Sequence, residues 1–211
     1  MIAGESSKDK STKSGYRTML LSVLMSAPGP IILGLGLRVG HSSTQISDFT
    51  RRSAELLALI VAFAVYAYTN SRTDILPEER TAVEKKGNTF TGIIMCVSGA
   101  SMILVTLLSG DSDKGNVVPA LAVSLLGVIA NSLFWRKYSA LYKSQGNSIL
   151  GVQARLYRAK SLVDGCVTAA LLSVLFFPGS AASGIVDAAG SLLVSVYMIR
   201  SGIVTIKEQL V

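Results

Sequence analysis

The chain has 211 residues, half of them apolar and only 16% charged, where a soluble domain carries about a quarter charged residues. Its mean hydropathy is +0.50, and 20 Lys+Arg against 13 Asp+Glu give a net charge of +7. With the long apolar runs below, these values exclude an ordinary soluble domain and a disordered chain, and in such a sequence the positive excess reports topology before nucleic acid.

A bilayer span needs roughly 20 mostly apolar residues. In chain order, a polar tail, residues 1–14, is too short to fold and precedes a single membrane domain over residues 15–211. The first span runs from about Tyr16 to Val39, the second from Thr44 to Thr69 and the third from Phe90 to Ser109. The fourth covers about Val117 to Tyr138, the fifth Val152 to Phe177 and the sixth Ala182 to Ile203. The first apolar run is too long for a cleavable signal peptide, and no small-residue cleavage site follows it. Only a short segment follows the sixth span, so no appended soluble domain is expected. The fold class predicted is an all-α membrane protein of six transmembrane helices.

Loop charges orient these spans. Lys8, Lys10, Lys13 and Arg17 precede the first span; Arg72, Arg80, Lys85 and Lys86 lie between the second and third. Arg136, Lys137, Lys143, Arg155 and Arg158 lie between the fourth and fifth, and Arg200 and Lys207 end the chain. The alternate loops hold Arg38 and Lys114 alone. The positive-inside rule then places both termini in the cytoplasm, in a plasma or inner membrane.

Within the spans, Gly34, Gly36, Gly40, Gly92, Gly99 and the Ala188–Ser191 run suit close helix packing. Pro28 and Pro30 each remove a backbone donor and clash with the preceding turn, so the first span should kink or break. Cys96 and Cys166 form no CxxC pair and read as buried reduced thiols. His41 is the single histidine, so no His-rich metal site exists. No basic-aromatic stripe, phosphate-binding loop or nucleophile–base pair occurs. Nucleic-acid binding, enzymatic activity and a resident cofactor are therefore not expected.

Ionisable residues inside a span are expensive and point to function. The second span carries Asp48, Arg51, Arg52 and Glu55, the fifth Lys160 and Asp164, and the sixth opens with Asp187. Arg51 and Glu55 are four apart, as are Lys160 and Asp164, so each pair shares a helix face. The second and fifth spans run in opposite directions. If these faces meet, Arg51 lies level with Asp164, and Glu55 with Lys160. Such a neutral quartet is either a closed salt-bridge ladder or a site that opens to take a substrate. Asp48, one turn outward of Arg51, would belong to the access path.

Gly34-Leu-Gly-Leu-Arg-Val-Gly-His-Ser-Ser43 followed by Ile46-Ser-Asp-Phe-Thr-Arg-Arg-Ser-Ala-Glu55 resembles the first-to-second helix segment of the cation diffusion facilitator family of zinc, manganese and iron efflux proteins. Asn131 with Trp135-Arg-Lys137, Ala159-Lys-Ser-Leu-Val-Asp164, and Ile185-Val-Asp-Ala-Ala-Gly190 through Lys207-Glu-Gln-Leu210 resemble its fourth, fifth and sixth helices. The resemblance covers most of the chain from Leu20 to Leu210. It implies a cation transporter, by alternating access and as an antiporter, and a homodimer as the usual assembly.

The departures lie at the site. The family's transport site pairs Asp or His with Asp on the second helix and His with Asp on the fifth; here those positions read Arg51 and Glu55, Lys160 and Asp164. Glu55 and Asp164 survive as candidate metal ligands. Arginine offers no lone pair, and zinc wants about four N, S or O donors, so a divalent metal as cargo is not supported by the ligand count. The family's preceding fifth-helix Asp aligns with Tyr157, and its His-rich loop and C-terminal cytoplasmic domain have no counterpart in the sequence. Two readings follow: a transporter of a small cation or proton with an altered site, or a non-transporting membrane subunit that keeps the fold with a structural ladder.

Overall fold

The computed structural model describes residues 2–36, 43–72, 74–108, 118–176 and 181–211. The described backbone forms helices α1 (Ile2–Ser26), α2 (Pro28–Gly36), α3 (Ser43–Ser71), α4 (Pro77–Leu108), α5 (Val118–Gln145), α6 (Ser148–Phe176) and α7 (Ala181–Leu210). Arg38, His41, Lys114 and Gly40 lie outside the described residues.

The first span is broken where expected. α1 and α2 are separated at Ala27, whose N–H still reaches Val23 O at 3.0 Å, while Ile31 N reaches Ala27 O at only 3.5 Å. Pro28 and Pro30 have no N–H to offer the carbonyls one turn back, Leu24 and Ser26. Before Tyr16, the backbone does not end in an unstructured tail: it is helical from Ile2. No proline interrupts this segment, and extending a nucleated helix adds one hydrogen bond per residue fixed.

α5 and α6 form a tight antiparallel hairpin. Gly146 adopts φ +65° and donates its N–H to Tyr142 O at 2.8 Å, closing the α5 C-terminus. Asn147 then caps α6: its Oδ1 accepts from Ile149 N at 3.0 Å and Leu150 N at 3.4 Å. α4 begins with Pro77 and has Glu78 and Glu79 in its first turn, favourable at a helix N-terminus.

α4 packs along α7, α5 along α6, α3 on α4 and α6 on α7, with α1 against α3 and α5 and α2 against α3. Small residues set the closest approach. A Cβ on Gly202 would lie 2.5 Å from Gly92 O, and one on Gly99 2.8 Å from Ser195 O, so α4 and α7 touch backbone to backbone. Tyr66, Met95, Tyr138, Ile149, Leu156, Tyr157 and Met198 fill the centre.

Beside its apolar centre the bundle buries polar side chains and leaves large aliphatic ones exposed. Glu55, Asn88, Gln153, Ser195 and Thr205 are buried, whereas Leu107, Leu126, Leu133, Leu193 and Val196 are exposed. Arg51–Ser71 of α3 and all of α4 are long and apolar enough to cross a membrane on length and composition. Arg158 faces outward with its guanidinium 5.6 Å from the Trp135 ring and 5.9 Å from that of Tyr197. Such cation–aromatic groups suit a membrane–water interface. Cys96 and Cys166 are unpaired but half-buried, not buried: each lies on a helix face that neighbouring helices cover only in part.

Candidate ion-pair site

Glu55 sits at the centre of the charged cluster and is 3% exposed. Arg51, one turn earlier on α3, places Nη1 3.4 Å from Glu55 Oε1. Lys160 of α6 places Nζ 3.4 Å from Glu55 Oε2. One carboxylate therefore takes a cation on each oxygen, one along its own helix and one across to α6. Both cations are themselves largely buried. The Lys160 ammonium also lies 5.2 Å from the centroid of the Tyr157 ring, which stacks on Tyr138 at 5.3 Å.

Of the two cross-helix contacts expected from the antiparallel register, Lys160–Glu55 forms and Arg51–Asp164 does not. The Asp164 carboxylate instead accepts from Asn131 Nδ2 of α5 at 2.6 Å. Gly127, one turn from Asn131, leaves the space: a Cβ there would lie 2.5 Å from Asp164 Oδ2. Thr168 donates to Asp164 O at 2.8 Å and approaches Ser124 Oγ at 3.0 Å, and Ser132 and Ser161 pair at 2.7 Å. The α5–α6 hairpin therefore ties Asp164 to α5 through Asn131, with the Lys160, Arg51 and Arg52 charges still within electrostatic reach. Asn131 lies 15 residues before Gly146 and Asp164 17 after Asn147, so a hairpin at that turn brings them to nearly the same level.

Arg52 is a further cation of the cluster. Its Cδ would be 3.6 Å from a Cβ on Gly29, so its side chain lies against the break between α1 and α2. Asp48 lies on α3 and Asp187 on α7, with their side chains outside the described residues. Seven residues before Lys160 on the same face of α6, Gln153 is fully buried, and neither its Oε1 nor its Nε2 finds a hydrogen-bond partner among the described residues. Ser98 Oγ of α4 is buried and unpartnered in the same way.

Among the described residues no three His, Cys, Asp or Glu side chains gather as a metal site. Both Glu55 oxygens already face cations, and Asp164 is held by an amide.

A helical bundle with an aliphatic exterior and a charged, hydrogen-bonded interior is a polytopic membrane protein. The chain matches the cation efflux transmembrane domain over residues 19–211, nearly its whole length, and belongs to that family of integral membrane cation transporters. A comparison with curated proteins gives no match.

Proposed function

We propose that the protein is a six-span cation transporter with both termini cytoplasmic, working by alternating access and exchanging its cargo for a proton. The observation that carries this reading is the position of Lys160, which pairs with buried Glu55 across two helices. A cargo cation binding Glu55 adds positive charge to a low-dielectric site, and the site accepts it most readily if another positive charge leaves. Arg51 cannot release a proton, whereas a lysine can. Lys160 is thus the residue whose deprotonation frees Glu55 Oε2 for cargo. Asp164 supplies a further oxygen one turn away, and the α1–α2 break beside Arg52 supplies a place for the bundle to bend. Lys160 has one proton to release, so this exchange balances one cargo charge per turnover.

The saturation of both Glu55 oxygens also fits the scaffold reading, in which the cluster never opens. The two readings separate in proteoliposomes carrying an internal pH dye. Under an imposed gradient of a monovalent or divalent cation, the transporter moves protons against the cation. Lys160→Arg keeps the charge and the pairing but not the releasable proton, and should abolish this flux while leaving the protein folded. Wild-type vesicles that show no proton movement with any cation would favour the scaffold.

A further inference from the structure

At the basic end of the bundle, α1 and α5 leave an open cleft of about 460 Å³, lined by Lys13, Ser14, Arg17, Thr18, Leu21 and Lys137. Lys13, Arg17 and Leu21 follow one another at four-residue spacing, so they form one stripe of α1. Lys137 approaches from α5. Among the described residues, three cations line this space. The Thr18 hydroxyl donates to Ser14 O at 2.8 Å, so it is turned to its own helix.

The cleft does not end in polar surface. Beyond Leu21, the exposed residues of α1 are Leu24 and Met25, and those of α5 are Leu133 and Ile129. A charged pocket thus opens directly onto an aliphatic track between the same two helices. That order, cations at the membrane edge and then exposed Leu, Met and Ile deeper along the helices, matches a molecule with an anionic head and hydrocarbon tails. The family match begins at residue 19. Lys13, Ser14, Arg17 and Thr18 precede it, so the cleft is built largely from sequence outside the matched transport domain.

We propose that this cleft binds a phosphate-bearing anion, the headgroup of an acidic phospholipid, with its acyl chains along Leu21, Leu24 and Leu133. Lys13 and Arg17 bracket the phosphate from α1 and Lys137 closes it from α5. The lipid then clamps α1 to α5 at the end of the bundle opposite the helix break. This inference requires only that the protein lies in a membrane, and it stands whether or not the charge cluster transports.

The test is retention of phosphatidylglycerol by the purified full-length protein, read by native mass spectrometry against phosphatidylcholine as the neutral lipid. Wild type should retain phosphatidylglycerol preferentially. Each of Lys13→Gln, Arg17→Gln and Lys137→Gln should weaken retention by about fivefold, and the triple variant should show no preference. Lys137→Arg should keep it. Arg136→Gln and Lys143→Gln, exposed cations of α5 outside the cleft, should leave it unchanged. These substitutions lie at the surface, and thermal unfolding of each variant checks that it is folded. Retention by the triple variant, or equal loss in the Arg136 and Lys143 controls, would overturn the site. Displacement of the lipid by millimolar inorganic phosphate would overturn the lipid as the source and assign the cleft to a soluble phosphate.

Discussion

Lys160 Nζ and Glu55 Oε2 stand 3.4 Å apart across α3 and α6, and with Arg51 on the other oxygen the carboxylate joins two helices through one buried charge. Removing Glu55 takes the shared carboxylate from two cations, while removing Lys160 leaves the Arg51–Glu55 pair in place. The two changes are therefore unequal.

Glu55→Ala is expected to lower stability by roughly 3–5 kcal/mol, the range for breaking a buried pair, and Lys160→Ala by less. The double change Glu55→Ala/Lys160→Ala should be milder than the sum of the two. Thermal unfolding in detergent gives all three values. A strictly additive cycle would show that the two side chains do not interact.

Gly127→Ala places a methyl group against the Asp164 carboxylate, where a Cβ would come within 2.5 Å of Oδ2. The outcome expected is a loss of roughly 1–3 kcal/mol from overpacking, with the Asn131 hydrogen bond broken. Gly165→Ala, which meets nothing within 4 Å, is the control on the facing helix and should be nearly neutral. Equal effects of the two would remove Gly127 as the spacer for Asp164.

Gln153 is fully buried with both amide atoms unpartnered among the described residues. Leucine at this position avoids burying an unsatisfied amide, worth about 1–3 kcal/mol. Gln153→Leu should therefore raise the melting temperature of the detergent-solubilised protein. A clear fall would mean that the amide is satisfied in the protein, for instance by an ordered water.

Zinc should bind weakly or not at all to the wild type, because Arg51 and Lys160 occupy two of the four positions the family uses for ligands. Arg51→Asp with Lys160→His replaces two cationic side chains by two donors at the same helical spacing and changes the formal charge around Glu55 and Asp164 from zero to −3. Calorimetric titration should show binding by the double variant and its loss on adding Glu55→Ala. Tight binding by wild type, abolished by Glu55→Ala, would show that the cations do not block the site. A folded double variant that still fails to bind would show that the four positions do not converge.

Topology is checked by cysteine labelling in a background with Cys96 and Cys166 changed to serine. With both termini in the cytoplasm, Ser112→Cys should react with an impermeant thiol reagent added outside intact cells, and Ser144→Cys only after permeabilisation. The reverse pattern would invert the orientation.

Much of this architecture was legible in residue order alone. Apolar runs long enough for helices and two prolines inside the first run are local properties, and they mark the helices and the break between α1 and α2. The same holds for the two charge pairs at i,i+4, which any α-helix places on one face. The polar N-terminal segment is too short to fold by itself, yet the helix of the first span extends through it to Ile2.

Which charges meet was decided only in three dimensions. Helical spacing fixes neighbours within a helix, but the rotation and offset between helices choose partners across them, and a shift of one turn moves a side chain by about 5.4 Å. That freedom left Arg51–Asp164 and Lys160–Glu55 equally reasonable on sequence. The Gly146–Asn147 turn set the register of α5 on α6 and brought Asn131 to Asp164 through the gap at Gly127, while the offset of α3 on α6 left Glu55 to serve Arg51 and Lys160 together.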